Sequence, residues 1–360
     1  RLPVADTGGP ALYERFVETR ERGGGYRRFV IEMKSGVVER LFRDKPVLLR
    51  LLASVARQWI DSTREMVLRL AVDLPSIEQD LLESHDAGRV ARIHGRLSDP
   101  HRFGRAVAVV EFEGGSRVVY KPKDLRVDAA WCALVDRLNT TAPVFLRAAR
   151  PVVRDGYGWT EFVVNETCAD REDFAAFFRR AGAWLALFHV FVTVDMHQEN
   201  VVASGSHPVP VDLETILQLA DTRFEDDRND AGAAFGAAMQ TVADSVTTIG
   251  LLPGYGKDAG GRAFFIGGVT SHASPRVTVG WSELNTDRMR PVKIHDVAAV
   301  TTNVPRLAHG SRGGLDNHPD DFIRGFTEYA RFLGGCAPEV LLSGFDGLPI
   351  RTVIRPTRYY

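Results

Sequence analysis

The chain has 360 residues, 44% hydrophobic and 25% charged, with a formal net charge of −1. That is an ordinary globular composition with length for two or three cores, and it gives no global field toward nucleic acid or an acidic membrane. Cys132, Cys168 and Cys336 lack CxxC or Cys/His zinc spacing, so neither a disulfide framework nor a structural zinc is indicated and a reducing, cytoplasmic setting fits.

No apolar run reaches the ~18 residues that suggest a transmembrane segment, and no signal peptide opens the chain. The sequence starts at Arg1 without methionine and stops at Tyr360 inside structured-looking sequence, which reads as a fragment of a larger polypeptide. Local charge clusters, such as Arg179-Arg180 and Glu225-Asp226-Asp227, read as solvated faces. The tail arginines Arg351, Arg355 and Arg358 are the exception.

Residues 1 to 85 read as helical. Pro10 suits the first turn of a helix through Val17. From Pro46, the residues Val47, Leu48, Leu51, Leu52, Val55, Trp59 and Ile60 recur at spacings of three and four, and Met66, Val67 and Leu70 continue the pattern. Then the period changes. Arg89–His94 and Arg105–Phe112 are candidate strands, Glu113-Gly114-Gly115 is a hairpin turn, and Ser116–Lys121 is the partner strand. A hairpin followed by a strand-borne lysine suggests the small lobe of a kinase, with Lys121 holding nucleotide phosphates as a point charge. Between the strands, Ser98-Asp99-Pro100-His101-Arg102-Phe103-Gly104 stands where a phosphate-covering loop would be. Its single glycine is a weak phosphate signal, and from spacing alone Asp99 and His101 read equally well as turn formers.

Asp128–Leu138 is a helix with Trp131, Leu134, Val135 and Leu138 on one face. Val144–Val153 and Trp159–Val164 are expected strands flanking the hairpin at Asp155-Gly156-Tyr157-Gly158. Arg171–Val192 is the main apolar helix, carrying His189 as a core or capping residue. That helix delivers the chain to Val194-Asp195-Met196-His197-Gln198-Glu199-Asn200. A turn-rich segment and an alternating strand at Val209, Val211 and Leu213 follow, with Asp212, Glu214 and Thr215. Pro208 and Pro210 place that strand late or at an edge. Acids, an amide and an imidazole at 195, 197, 200, 212 and 214 stand between apolar walls. Phosphoryl transfer from a metal-bound nucleotide needs such a set: a carboxylate near the attacking hydroxyl, and an amide oxygen and a second carboxylate for magnesium.

Residues 220 to 290 read as an enlarged activation-type segment, helical over Ala231–Thr248 and looped over Gly254–Arg262. His272, Ser274, Asn285, Thr286 and Asp287 are potential substrate contacts but fit turns better. Phe322–Leu333 is a late helix, and the chain then runs through Asp346-Gly347 to Arg351–Thr357.

Several of these stretches resemble, in order, motifs of the dehydratase domain of class II lanthipeptide synthetases, the LanM family. They are Ser98-Asp99-Pro100-His101 with Gly104-Arg105, Val119-Tyr120-Lys121-Pro122-Lys123, Asp195–Asn200, Val211–Thr215, Trp281 with Asn285-Thr286-Asp287, and Arg351–Thr357. The resemblance implies an α+β fold, a bilobal lipid-kinase-like catalytic core with an N-terminal helical region and extra helical and loop elements. In that frame 1–85 is a helical support region, 86–165 the small lobe and 166–360 the large lobe. The implied activity is ATP- and Mg2+-dependent phosphorylation of Ser or Thr in a precursor peptide, followed by phosphate elimination to dehydroalanine or dehydrobutyrine. By resemblance Asp195 is the catalytic carboxylate and His197 its neighbour. Asn200 and Asp212, with Glu214 beside them, hold magnesium. Lys121 contacts nucleotide phosphate, Asp99 and His101 match a required pair, and Arg351 and Thr357 match the elimination pair. The implied partners are a precursor peptide with a leader segment and a Ser/Thr-rich core, and a covalently linked cyclase beyond these 360 residues. The alternative is a kinase-like phosphotransferase that stops at the phosphoester.

Overall fold

The computed structural model describes residues 24–82, 86–95, 97–98, 101–218, 236–238, 240–242, 244–257, 263–270, 274–298 and 302–352. The expected helix at 10–17, Asp99, the acidic stretch from 225 to 227, His272, Arg355, Thr357 and Arg358 lie outside these residues. The chain divides into two compact units, residues 1–61 with 275–298 and residues 62–274 with 299–360.

In the first unit, helices α1 (Gly25–Glu32) and α2 (Val38–Asp44) are separated by a kink at Ser35 and Gly36, where Gly36 takes φ 105°. Helix α3 (Pro46–Asp80), of which residues 46–61 belong to this unit and 62–80 to the second, carries the three-and-four apolar spacing as one continuous element. Ser274–Ser282 and Arg290–Ala298 form a two-stranded ribbon. Within its turn, Asp287 accepts the backbone N–H groups of Gly24, at 2.7 Å, and Tyr26, while Asn285 accepts the Tyr26 hydroxyl at 2.8 Å. Asn285 and Asp287 thus serve the turn and its anchor, the reading their spacing favoured.

The second unit contains a five-stranded antiparallel sheet: β1 (Val90–His94), β2 (Ala108–Phe112), β3 (Arg117–Lys121), β4 (Pro151–Arg154) and β5 (Tyr157–Glu161), in the order β1-β2-β3-β5-β4. Tight turns join β2 to β3 and β4 to β5, and Gly115 (φ 84°) and Gly156 (φ 73°) take the left-handed backbone that these turns require. The expected strand over Val144–Val153 is realised only from Pro151. Upstream, the Asn139 side chain takes both backbone groups of Leu146, accepting its N–H at 2.9 Å and donating to its carbonyl at 2.8 Å, so no ladder forms there.

Side chains alternate across β3. Val118 and Tyr120 face the C-terminal half of α3, where Met66, Leu70 and Ile77 pack with Val110, Phe112 and Trp159. Buried Asp73 on α3 pins that helix to the sheet by accepting from Trp159 Nε1 at 2.9 Å, Tyr157 OH at 2.8 Å and Arg154 Nε at 2.6 Å. Lys121 therefore points to the other face.

There α4 (Arg126–Asn139) meets the main core with α5 (Glu172–Val190) and α6 (Pro319–Gly334). Trp131 stacks on Trp184 with centroids 6.1 Å apart, and both are buried. Full burial of such a side chain contributes about 2–3 kcal/mol. Helices α5 and α6 cross at Gly182 and Gly325. A methyl group at Gly182 would collide with the backbone of Phe322, and one at Gly325 with that of Arg179. The last helix among the described residues is short, α7 (Pro338–Leu342).

Three local expectations are corrected and one is narrowed. His189 is exposed in the last turn of α5, which removes the core half of its reading and keeps the capping half. Arg179 and Arg180 are not merely solvated: Arg179 pairs with Glu328 at 2.6 Å, and Arg180 donates to Ser206 O at 2.8 Å. The strand expected to run through Val209, Val211 and Leu213 is β7 (His207–Pro210), paired with β6 (Val201–Ser204). It ends at Pro210; the Val211 N–H still reaches Asn200 O at 2.9 Å in the same register, and Leu213 lies beyond the strand. Gly254–Lys257 is not loop but pairs with Ala263–Ile266 as a hairpin, in keeping with the strand preference of Tyr255, Phe264 and Phe265.

Candidate active site

After α5 the backbone takes two left-handed steps, at Val192 (φ 44°) and Asp195 (φ 66°). For a β-branched residue this is an outlier, and Asp tolerates it better. The surroundings determine the loop. Val194 N–H donates to Thr215 O at 3.1 Å, the Thr215 hydroxyl donates to Val194 O, and Met196 N–H donates to Ile249 O at 2.7 Å. Asn200 Nδ2 donates to Asp195 O at 2.8 Å. Met196 is fully buried beneath the loop. The backbones of Gly250 and Gly268 lie against Met196 so closely that a Cβ at Gly268 would meet its carbonyl oxygen.

These constraints set the side chains. Glu199 N–H donates to His197 Nδ1 at 3.2 Å, which leaves the proton of a neutral imidazole on Nε2, 3.5 Å from Asp195 Oδ1. Burial holds the Asp195 carboxyl above the usual carboxylate range, and the charges of Asp212 and Glu214 add to the effect against His197 and Arg351. A carboxylate with raised proton affinity is a better proton acceptor.

From β3, Lys121 Nζ donates to Val211 O at 2.5 Å and lies 3.7 Å from Asp128 Oδ1 on α4. Two residues on, Lys123 Nζ donates to Asp212 Oδ1 at 2.6 Å and to Glu214 Oε2 at 3.1 Å. Burial would raise the Asp212 pKa, but the ammonium groups of Lys123 and Lys121 outweigh it and bring it down to about 2. Asp128 is held above the usual range, chiefly by burial, with Lys121 and Lys123 opposing. Arg351 Nη1 donates to the remaining oxygen of Glu214, and its carbonyl accepts from Gln218 Nε2 at 2.6 Å.

The structure thus brings Lys121, Asp195, His197, Asn200, Asp212, Glu214 and Arg351 into one neighbourhood. His101 stands apart. It is exposed and bridged backbone to backbone with Arg105, and among the described residues no hydrogen bond or ion pair joins its ring to that set. Arg105 is itself gripped by Glu65 on α3 through two bonds, of 2.6 and 3.1 Å. Among the described residues no three His, Cys, Asp or Glu side chains gather as a metal-holding group; Lys123 lies between Asp212 and Glu214.

Two participants were missed in sequence. Lys123 shares its parity with Lys121 at the strand end. Asp128 stands three residues before Trp131 and seven before Val135, an acid on the apolar face of its helix. Both signals were readable.

Over 217 residues, 56% of this chain, the sequence is 25% identical to the lacticin 481/lactococcin biosynthesis protein LcnDR2 of Lactococcus lactis subsp. lactis. The chain spans 22% of that relative's length. No helix among the described residues is long and apolar enough to cross a membrane. Residues 46–360 match the family described as Domain of unknown function (DUF4135), and the chain belongs to that family.

Proposed function

We propose that the chain serves lanthipeptide biosynthesis by dehydrating Ser and Thr of a precursor peptide, first by ATP-dependent phosphorylation and then by phosphate elimination, on a bilobal kinase-like core. Similarity to a lacticin biosynthesis protein supports the pathway. The observation that carries the two-step reading is Arg351 bonded to Glu214, two residues from Asp212, so that a tail guanidinium joins the nucleotide-type acid set.

In the first step the peptide hydroxyl oxygen bonds to the γ-phosphorus as the bond to the nucleotide's leaving oxygen breaks, and Asp195 takes the hydroxyl proton. His197 Nε2 stands 3.5 Å from that carboxylate. Lys121, fixed by Asp128 and Val211 O, supplies positive charge for the phosphates. In the second step a base removes the Cα proton, the C–H electron pair becomes the Cα=Cβ bond, and the Cβ–O bond breaks with its pair leaving on phosphate. Arg351, with Thr357 six residues on in the tail motif, stabilises the charge on those oxygens.

Magnesium fits the donor set. Asp212 is kept ionised, Asn200 has its amide nitrogen engaged and its oxygen left to accept, and an ammonium already lies between Asp212 and Glu214. These three residues would hold it, and its chemistry would be to neutralise phosphate charge.

The test is mass spectrometry of a Ser/Thr-rich precursor incubated with ATP, magnesium and the protein. The wild type yields dehydrated peptide, Asp195→Asn yields unmodified peptide, and Arg351→Ala accumulates phosphopeptide. Full dehydration by Arg351→Ala would sink the elimination role. A phosphotransferase that stops at the ester is the second reading, favoured by the gathering of Lys121, Asp195, Asn200 and Asp212, which by themselves supply what the transfer step needs. Stable phosphopeptide from the unmutated protein would establish it.

A further inference from the structure

Glu214 holds two cations at once. Its Oε2 accepts from Lys123 Nζ at 3.1 Å and its Oε1 from Arg351 Nη1. One carboxylate therefore seats an ammonium and a guanidinium side by side. The two lysines of this region are not held alike. Lys121 is 7% exposed and fixed by a backbone carbonyl and by buried Asp128. Lys123 is 26% exposed, and both its partners are side-chain carboxylates, Asp212 at 2.6 Å and Glu214 at 3.1 Å. Arg351 is half exposed. A phosphate monoester presents the same kind of oxygen acceptor as Glu214, with more negative charge and three oxygens instead of two. It can therefore replace Glu214 as the common partner of both cations.

We propose that Lys123 and Arg351 form a phosphate-monoester subsite, with Glu214 keeping the two cations together until a phosphoryl group takes its place. Lys121 stays behind as the fixed charge under the site. The inference rests on the reading above for the ligand's identity as a phosphorylated Ser or Thr side chain.

The test needs no turnover. Orthophosphate and O-phosphoserine are titrated into the 360-residue chain by calorimetry, in chelator and without nucleotide. Lys123→Gln should weaken both about tenfold or more, the usual scale for losing a charge-assisted hydrogen bond. Lys123→Arg should stay within a few fold of wild type. Should Lys123→Gln not fold, the NMR signals of isotopically methylated lysines serve instead: the resonance missing from Lys123→Arg must shift when phosphate is added to the wild type. Equal phosphate affinity in folded Lys123→Gln overturns the subsite, as does an unmoved Lys123 signal or a wild type that binds neither probe. Lys123-dependent phosphate binding without any peptide phosphorylation would overturn the function proposed above and leave the subsite standing.

Discussion

Two acids of the site predict opposite experiments. Asp128 is buried against Lys121. Removing one partner of such a pair leaves the other charge uncompensated, so Asp128→Ala should cost about 3 kcal/mol or more in urea unfolding. Asp212 is depressed from its ordinary 3.8 to about 2. A depressed acid adds stability that is fully present above its unfolded value and lost as the pH falls through the folded one. Stability should therefore drop between pH 4 and 2. The side chain is 35% exposed, so solvent screening reduces the effect to about 1 kcal/mol. Denaturant midpoints across that range would measure it, and Asp212→Asn should flatten the slope. At this scale the sequence was legible where chemistry is local. Asp195, His197, Asn200, Asp212 and Glu214 cluster within twenty residues. Asp128 was harder to see because its partner Lys121 belongs to a different element, and only folding makes them meet.

Among elements, long apolar periods were read correctly and short irregular connections were not. Helices α3, α5 and α6 follow from spacing alone. The segment from Val144 to Arg150 opens with two β-formers, Val144 and Phe145, but the Asn139 amide takes the backbone of Leu146. Side-chain capture of this kind has no period, so no pattern announces it. The hairpin at 254–266 was hidden by its glycines. Gly325 is a case where sequence shows a helix breaker and structure shows a contact point: α6 can approach α5 only without a Cβ there. Gly325→Ala should destabilise by about 2–3 kcal/mol despite the better helix propensity of alanine. A thermal melt would decide, and a melt at or above that of the wild type would rule the close crossing out.

For the molecule as a whole, surface chemistry deserves the same treatment as the site. Leu51, Leu52 and Val55 on α3 are each half exposed or more, and a net charge of −1 offers little repulsion between copies. Leu51→Glu with Val55→Glu should reduce self-association in sedimentation runs at neutral pH. Stability should stay within about 0.5 kcal/mol, since neither residue is buried. Loss of folding in that double variant would mean these positions belong to a core. The division into residues 1–61 with 275–298 and the remainder was not legible in sequence. It joins stretches more than two hundred residues apart, through Asp287 and the backbone at Gly24 and Tyr26.

The left-handed backbone at Asp195 carries one more consequence. That conformation suits Asn and Gly at least as well as Asp. Asp and Asn codons differ by a single base, so the smallest genetic step at this position removes the carboxylate and leaves the loop backbone undisturbed. Asp195→Asn is therefore expected to fold as the wild type does, and an unchanged denaturant midpoint would check it.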